Sequence, residues 1–125
     1  TERPMGEGSR VDLLLEGTQG RCFVEVKNVT LVEGGVARFP DAVTARGRKH
    51  LRELAARVAE GDRAAMVYVI QRGDGRAFEP ADDLDPGYGL EIRRAAERGV
   101  EIYALSCEVS EYGVRTTGLV PVDLP

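Results

Sequence analysis

The spacing of apolar residues changes period along the chain. Residues 1–9 carry Pro4, Gly6, Gly8 and Ser9 and read as an irregular lead-in. Val11 to Glu16 is a short apolar run that reads as a strand, and GTQG at 17–20 reads as a turn. From Cys22 to Val32 the sequence CFVEVKNVTLV alternates, with Cys22, Val24 and Val26 on one face and Phe23, Glu25 and Lys27 on the other. Gly34-Gly35 between LVE and VARF is a hairpin signal. Three consecutive antiparallel strands are therefore expected, at roughly 11–16, 21–32 and 36–39, and Pro40 closes the series.

Between Thr44 and Glu60 the period becomes helical. Gly47, Leu51, Leu54, Ala55 and Val58 fall on one face, with Thr44 as the expected N-cap and Gly61 just past the end. AAMVYVI at 64–70 is nearly continuous and rich in β-branched residues, as in a central strand buried on both faces. On that reading Val67→Asp places an unpaired charge in the core and prevents folding. Residues 72–84 read as a polar loop. Asp85-Pro86 starts a second helix, with Tyr88, Ile92, Ala95 and Ala96 as its apolar stripe and Gly99 as its end. Val100–Cys107 is a further strand, with a last hairpin around Tyr112-Gly113 and an extended tail. The order βββαβαβ predicts an α/β fold with a mixed sheet, an antiparallel meander followed by a crossover helix feeding a central strand.

Length and composition narrow the function. At 125 residues, with 42% hydrophobic and 30% charged residues, the chain suits one globular domain. No apolar run is long enough to cross a membrane, and the first twelve residues lack the apolar core of a signal peptide. The two cysteines, Cys22 and Cys107, are too few for a disulfide framework and fit buried thiols in a reducing cytoplasm. His50 is the only histidine and no GxSxG elbow is present, which disfavours a zinc site or a hydrolase triad. The net charge of −4 is not that of an obvious nucleic-acid binder. Of 17 basic residues only Lys27 and Lys49 are lysines, so a lysine marks a position where an ammonium suits better than a guanidinium.

Glu25 and Lys27 leave the same face of one strand, roughly 7 Å apart along it. If 11–16 pairs with 21–27, Asp12 converges on Glu25 from the neighbouring strand. Two carboxylates and an ammonium on a half-buried face are costly unless they serve one another or a metal. Metal-assisted phosphodiester cleavage uses such a trio. Asp12, Glu25 and the Val26 carbonyl would offer hard oxygen ligands to Mg²⁺ or Mn²⁺, and Lys27 would orient the attacking water or stabilise developing charge. The same E-x-K spacing also makes a surface ion pair on an edge strand, worth under about 1 kcal/mol. Arg46, Arg48, Lys49 and Arg52 form a basic cluster at the start of the first helix, suited to a phosphate backbone or to a solvated face. His50 lies beside the apolar stripe as a boundary residue or an accessory one. Gln71 and Arg72, at the end of the central strand, either reach the side of Glu25 or simply end the strand.

SRVDLLLE (9–16), VEVKNVTLVE (24–33), FPDAVTARGRKHLREL (39–54), QRGD (71–74) and PADDLDPGY (80–88) resemble, in order and wording, successive motifs of the sugar fermentation stimulation protein A family. The resemblance covers nearly the whole chain. It implies a carboxy-terminal domain of the PD-(D/E)XK kind, a restriction-endonuclease-like three-layer fold with a central mixed sheet flanked by helices. The family's acid-acid-lysine signature falls on Asp12, Glu25 and Lys27. The resemblance also implies non-specific DNA binding and regulation of sugar (maltose) metabolism genes. Members are about twice this long and begin with a small barrel resembling an OB fold. This chain, 1–125, therefore reads as the single nuclease-like domain without that barrel. The expected activity is metal-dependent cleavage of DNA, and the alternative is a catalytically inactive DNA-binding regulator. The expected partner is DNA, with no membrane and with a homodimer as the oligomeric option, in the cytoplasm.

Overall fold

The computed structural model describes residues 3–4, 10–11, 13–17 and 20–125. A short antiparallel pair, β1 (Arg3–Pro4) and β2 (Arg10–Val11), precedes β3 (Leu13–Gly17) and the long β4 (Gly20–Val29). Then follow β5 (Leu31–Glu33), β6 (Val36–Phe39), α1 (Ala45–Ala59), β7 (Arg63–Ile70) and β8 (Ala77–Pro80). The chain ends with α2 (Pro86–Glu97), β9 (Glu101–Ser110) and β10 (Gly113–Val120). Both helices begin where their capping residues stand. The Thr44 hydroxyl accepts from the Gly47 N–H at 2.9 Å, and the Asp85 carboxylate accepts from the Tyr88 N–H at 3.1 Å with Pro86 in the first turn.

A five-stranded sheet runs in the order β10-β9-β7-β4-β3. Its inner pairs, β4–β7 and β7–β9, are parallel, and its outer pairs, β3–β4 and β9–β10, are antiparallel. The sheet is therefore mixed, as expected, but the three early strands do not form one meander. The stretch 21–32 breaks at Thr30, and β5 and β6 leave to build a separate three-stranded sheet with β8. The Gly34-Gly35 turn joins β5 to β6 with φ of 58° and 83°, backbone values that disfavour any side chain. β8 lies inside what reads as a polar loop. Its one large apolar residue, Phe78, is fully buried, and a single such residue shows no period.

The path from β4 to β7 to β9 steps twice in the same direction across the sheet. Right-handed crossovers taken in one direction put their helices on one face. In the structure α1 and α2 pack on each other and share one core with that face of the sheet. Leu51, Leu54, Met66, Tyr68, Phe78, Tyr88 and Ile92 fill the core, each worth about 1.5–3 kcal/mol of burial. This corrects in part the reading of 64–70 as buried on both faces. Ala64, Met66, Tyr68 and Ile70 point to the helices and are fully buried; on the other face Ala65 is buried too, at 4% exposed, and only Val67 and Val69 are half-buried. An apolar run filled the outward positions too, which hid the alternation.

Candidate functional site

β4 lies between β3 and β7; Cys22 to Val24 are paired on both sides, and Glu25 to Val29 are paired with β7. Its helix-facing side carries Phe23, Glu25, Lys27 and Val29, of which Phe23 and Val29 belong to the core. Glu25 is only 4% exposed. Lys27 reaches back along the strand and places Nζ 3.1 Å from Glu25 Oε1. α1 crosses above and lowers His50, also 4% exposed, onto the pair. His50 Nδ1 is 2.8 Å from Lys27 Nζ and 3.1 Å from Glu25 Oε1. Nδ1 thus lies within hydrogen-bond distance of both the ammonium and the carboxylate, accepting from the first or donating to the second according to the imidazole's tautomer. Lys27 donates to the Glu25 carboxylate, and His50 closes the group against both.

His50 is central here, where the sequence reading set it at a boundary. A signal for this is in the spacing. Gly47, His50, Leu51 and Leu54 follow i, i+3, i+4, i+7, and all four are buried, so His50 occupies a core position of α1. Gly47 permits this approach. A Cβ there would lie 3.1 Å from the Tyr88 ring and 2.8 Å from the Thr44 methyl. The Asp85 carboxylate locks the two helices together, accepting from the Thr44 N–H at 2.9 Å as well as from Tyr88. Tyr88 hydrogen-bonds Tyr68 in the wall behind the site. Burial raises the Tyr88 phenol well above its ordinary range, and the charges of Glu25 and Asp85 push the same way. Tyr88 therefore stays a neutral group beside Glu25.

The other candidate residues are placed more widely. Asp12 lies outside the described residues. Among those described, no three His, Cys, Asp or Glu side chains converge as a metal cage. Arg46 is exposed one turn before His50, on the same side of α1. Lys49 faces Glu53 at 3.9 Å, and Arg52 donates to Glu91 of α2 at 3.0 Å. Arg48 packs over Gly87, where a Cβ would meet its Nη1 at 2.5 Å. The cluster that looks purely basic in sequence thus has acidic neighbours from α1 and α2. Gln71 donates to Asn28 Oδ1 at 3.0 Å, and Arg72 pairs with Asp74 at 2.7 Å. Neither is brought to Glu25. No helix among the described residues is long and apolar enough to cross a membrane.

Comparison with known proteins agrees with this architecture. The model of the family described as the sugar fermentation stimulation protein RE domain matches residues 1–113. A sugar fermentation stimulation protein homolog of Citrifermentans bemidjiense is 58% identical over 121 residues, covering 97% of this chain and 52% of that protein. The homolog of Geobacter sulfurreducens is 59% identical over 117 residues, covering 94% of this chain and 50% of that protein. This chain therefore spans about half the length of the curated relatives it matches. Among solved structures, Pyrococcus furiosus SfsA in complex with Ca²⁺ superposes with a TM-score of 0.92 at 35% identity, over 98% of this chain and 53% of that one. A match at this level of identity across nearly the whole span, on the same α/β framework, establishes that the chain belongs to the sugar fermentation stimulation protein family.

Proposed function

We propose that this domain is a divalent-metal-dependent nuclease acting on the DNA backbone. The observation that carries the reading is the contact of Glu25, Lys27 and His50 on the buried, otherwise apolar face of β4. Three polar groups there cost several kcal/mol in desolvation, which stability alone does not reward. Glu25 is a hard oxygen donor fixed on a central strand, the ligand type that Ca²⁺, Mg²⁺ and Mn²⁺ share. The Pyrococcus furiosus relative is described in complex with Ca²⁺. With Asp12 and the Val26 carbonyl, Glu25 would complete an all-oxygen set suited to Mg²⁺ or Mn²⁺. A bound divalent cation lowers the pKa of water and polarises a phosphate. Lys27 would donate to the attacking water or to charge growing on the phosphate, with His50 in contact with its ammonium at 2.8 Å. Arg46, Arg48, Lys49 and Arg52 grip the backbone on either side.

Cleavage of duplex and single-stranded DNA by the purified chain, with Mg²⁺, Mn²⁺ or chelator, tests the reading. Asp12→Ala, Glu25→Ala and Lys27→Ala are each expected to lower the rate about a hundredfold or more, with the fold intact by circular dichroism. Cleavage that survives all three substitutions together refutes the assignment. The alternative is a catalytically inactive regulator of sugar metabolism genes. It predicts salt-dependent DNA binding, weakened by replacing the four basic residues of α1, with no metal-dependent cleavage under any condition.

A further inference from the structure

The second face of the five-stranded sheet carries no helix among the described residues. The topology explains why: two crossovers in one direction leave it bare, whereas a reversal of direction would have covered it. Strands paired in parallel are normally buried on both faces. This face is nevertheless built to be buried. Leu15 is 51% exposed, Val26 36%, Tyr103 37% and Leu119 68%. With Cys22 and Val67 they surround Val24 and Ala65, which are themselves 8% and 4% exposed, and part of this apolar face is a shallow depression of about 520 Å³. The charges at one end, Arg21 with Asp62 and Arg63 with Glu101, already neutralise one another at 3.1 and 2.8 Å. Nothing there recommends a phosphate backbone. A surface of this kind marks a protein interface.

We propose that this face seats the further half of the chain that the family's members carry outside the span matched here. Relatives matched over 94–98% of this chain all extend about as far again, which is enough for a second folded unit. A unit tethered in the same polypeptide meets the face at an effective concentration on the order of millimolar, so it wins over a second copy at ordinary protein concentrations. Because it covers the side of the sheet opposite Glu25, it leaves the helix-side site open. The inference rests on the topology and the family match and stands whether or not the domain cleaves DNA.

The test is the reactivity of a single cysteine at Val67. It is placed in this 125-residue chain in a Cys22→Ser background and at the aligned position of the full-length Citrifermentans bemidjiense relative. A second cysteine at Ala56, exposed on α1, serves as the control. The expected result is labelling at Val67 at least about tenfold slower in the full-length relative than in this chain, with equal rates at Ala56. Equal rates at Val67 overturn the proposal. Slow labelling in both proteins overturns it too. If dilution of this chain speeds that labelling, a second copy covers the face; if not, the chain covers it by itself.

Discussion

Glu25, Lys27 and His50 meet in a place where water barely reaches, and this makes their energetics asymmetric. Removing Glu25 or Lys27 alone strands the charge of the other, while removing both together leaves the His50 imidazole among apolar neighbours and no buried charge from the pair. Lys27→Met alone is expected to cost about 3 kcal/mol in urea denaturation, discounted somewhat because the lysine side chain keeps 17% exposure. The double variant Glu25→Leu/Lys27→Met is expected to recover most of that loss and yet remain inactive on DNA. A double variant no more stable than the single one would show that the pair supports the fold instead. The E-x-K pair and its common face were legible in sequence because a strand has a period of two. The role of His50 was less so. A histidine at a core position reads the same whether it fills space or meets a carboxylate, and only the crossing of α1 over β4 decides.

At the scale of elements, signals local to a few residues held up well. The caps at Thr44 and Asp85, the Gly34-Gly35 turn and the hairpin at Tyr112-Gly113 each rest on backbone chemistry within about four residues. What failed was non-local: the partition of early strands between two sheets, the short β8, and the second face of β7. A strand's two faces differ only by what the rest of the chain lays on them, and the direction of the crossovers is not written in β7 itself. The corrected orientation reverses the expectation for Val67. Met66→Asp buries an unpaired charge against α1 and is expected to abolish cooperative folding. Val67→Asp, on the open face, is expected to keep a cooperative thermal transition, with the loss confined to about 1–2 kcal/mol. Equal collapse of both variants would put the core on both faces of the strand.

Across the whole molecule, the net charge of −4 gives a poor picture of what an approaching polyanion meets. The acidic run at 79–85 is largely taken up internally. Glu79 and Asp83 face Arg38, Asp82 pairs with Arg93 at 2.8 Å, and Asp85 caps both helices. Arg46 is exposed on α1, one turn before His50. These pairs also give stability a pH dependence. Hydrogen bonds from Arg93, Arg38 and Arg63 hold the carboxyls of Asp82, Asp83 and Glu101 below their ordinary values. A depressed carboxylate contributes stability that is present above its unfolded value, near 4, and is lost as pH falls through the lower folded value. The melting temperature is thus expected to hold steady from neutral pH to about 5 and to fall below about 4. Arg38→Ala/Arg93→Ala is expected to melt lower at neutral pH, to show a shallower acid decline, and to approach the parent curve near pH 2, where Asp82 and Asp83 are protonated in both proteins. Two parallel curves, separated by the same interval at pH 7 and pH 2, would mean that packing of the arginine stems, rather than their pairing with the acidic run, supplies the stability.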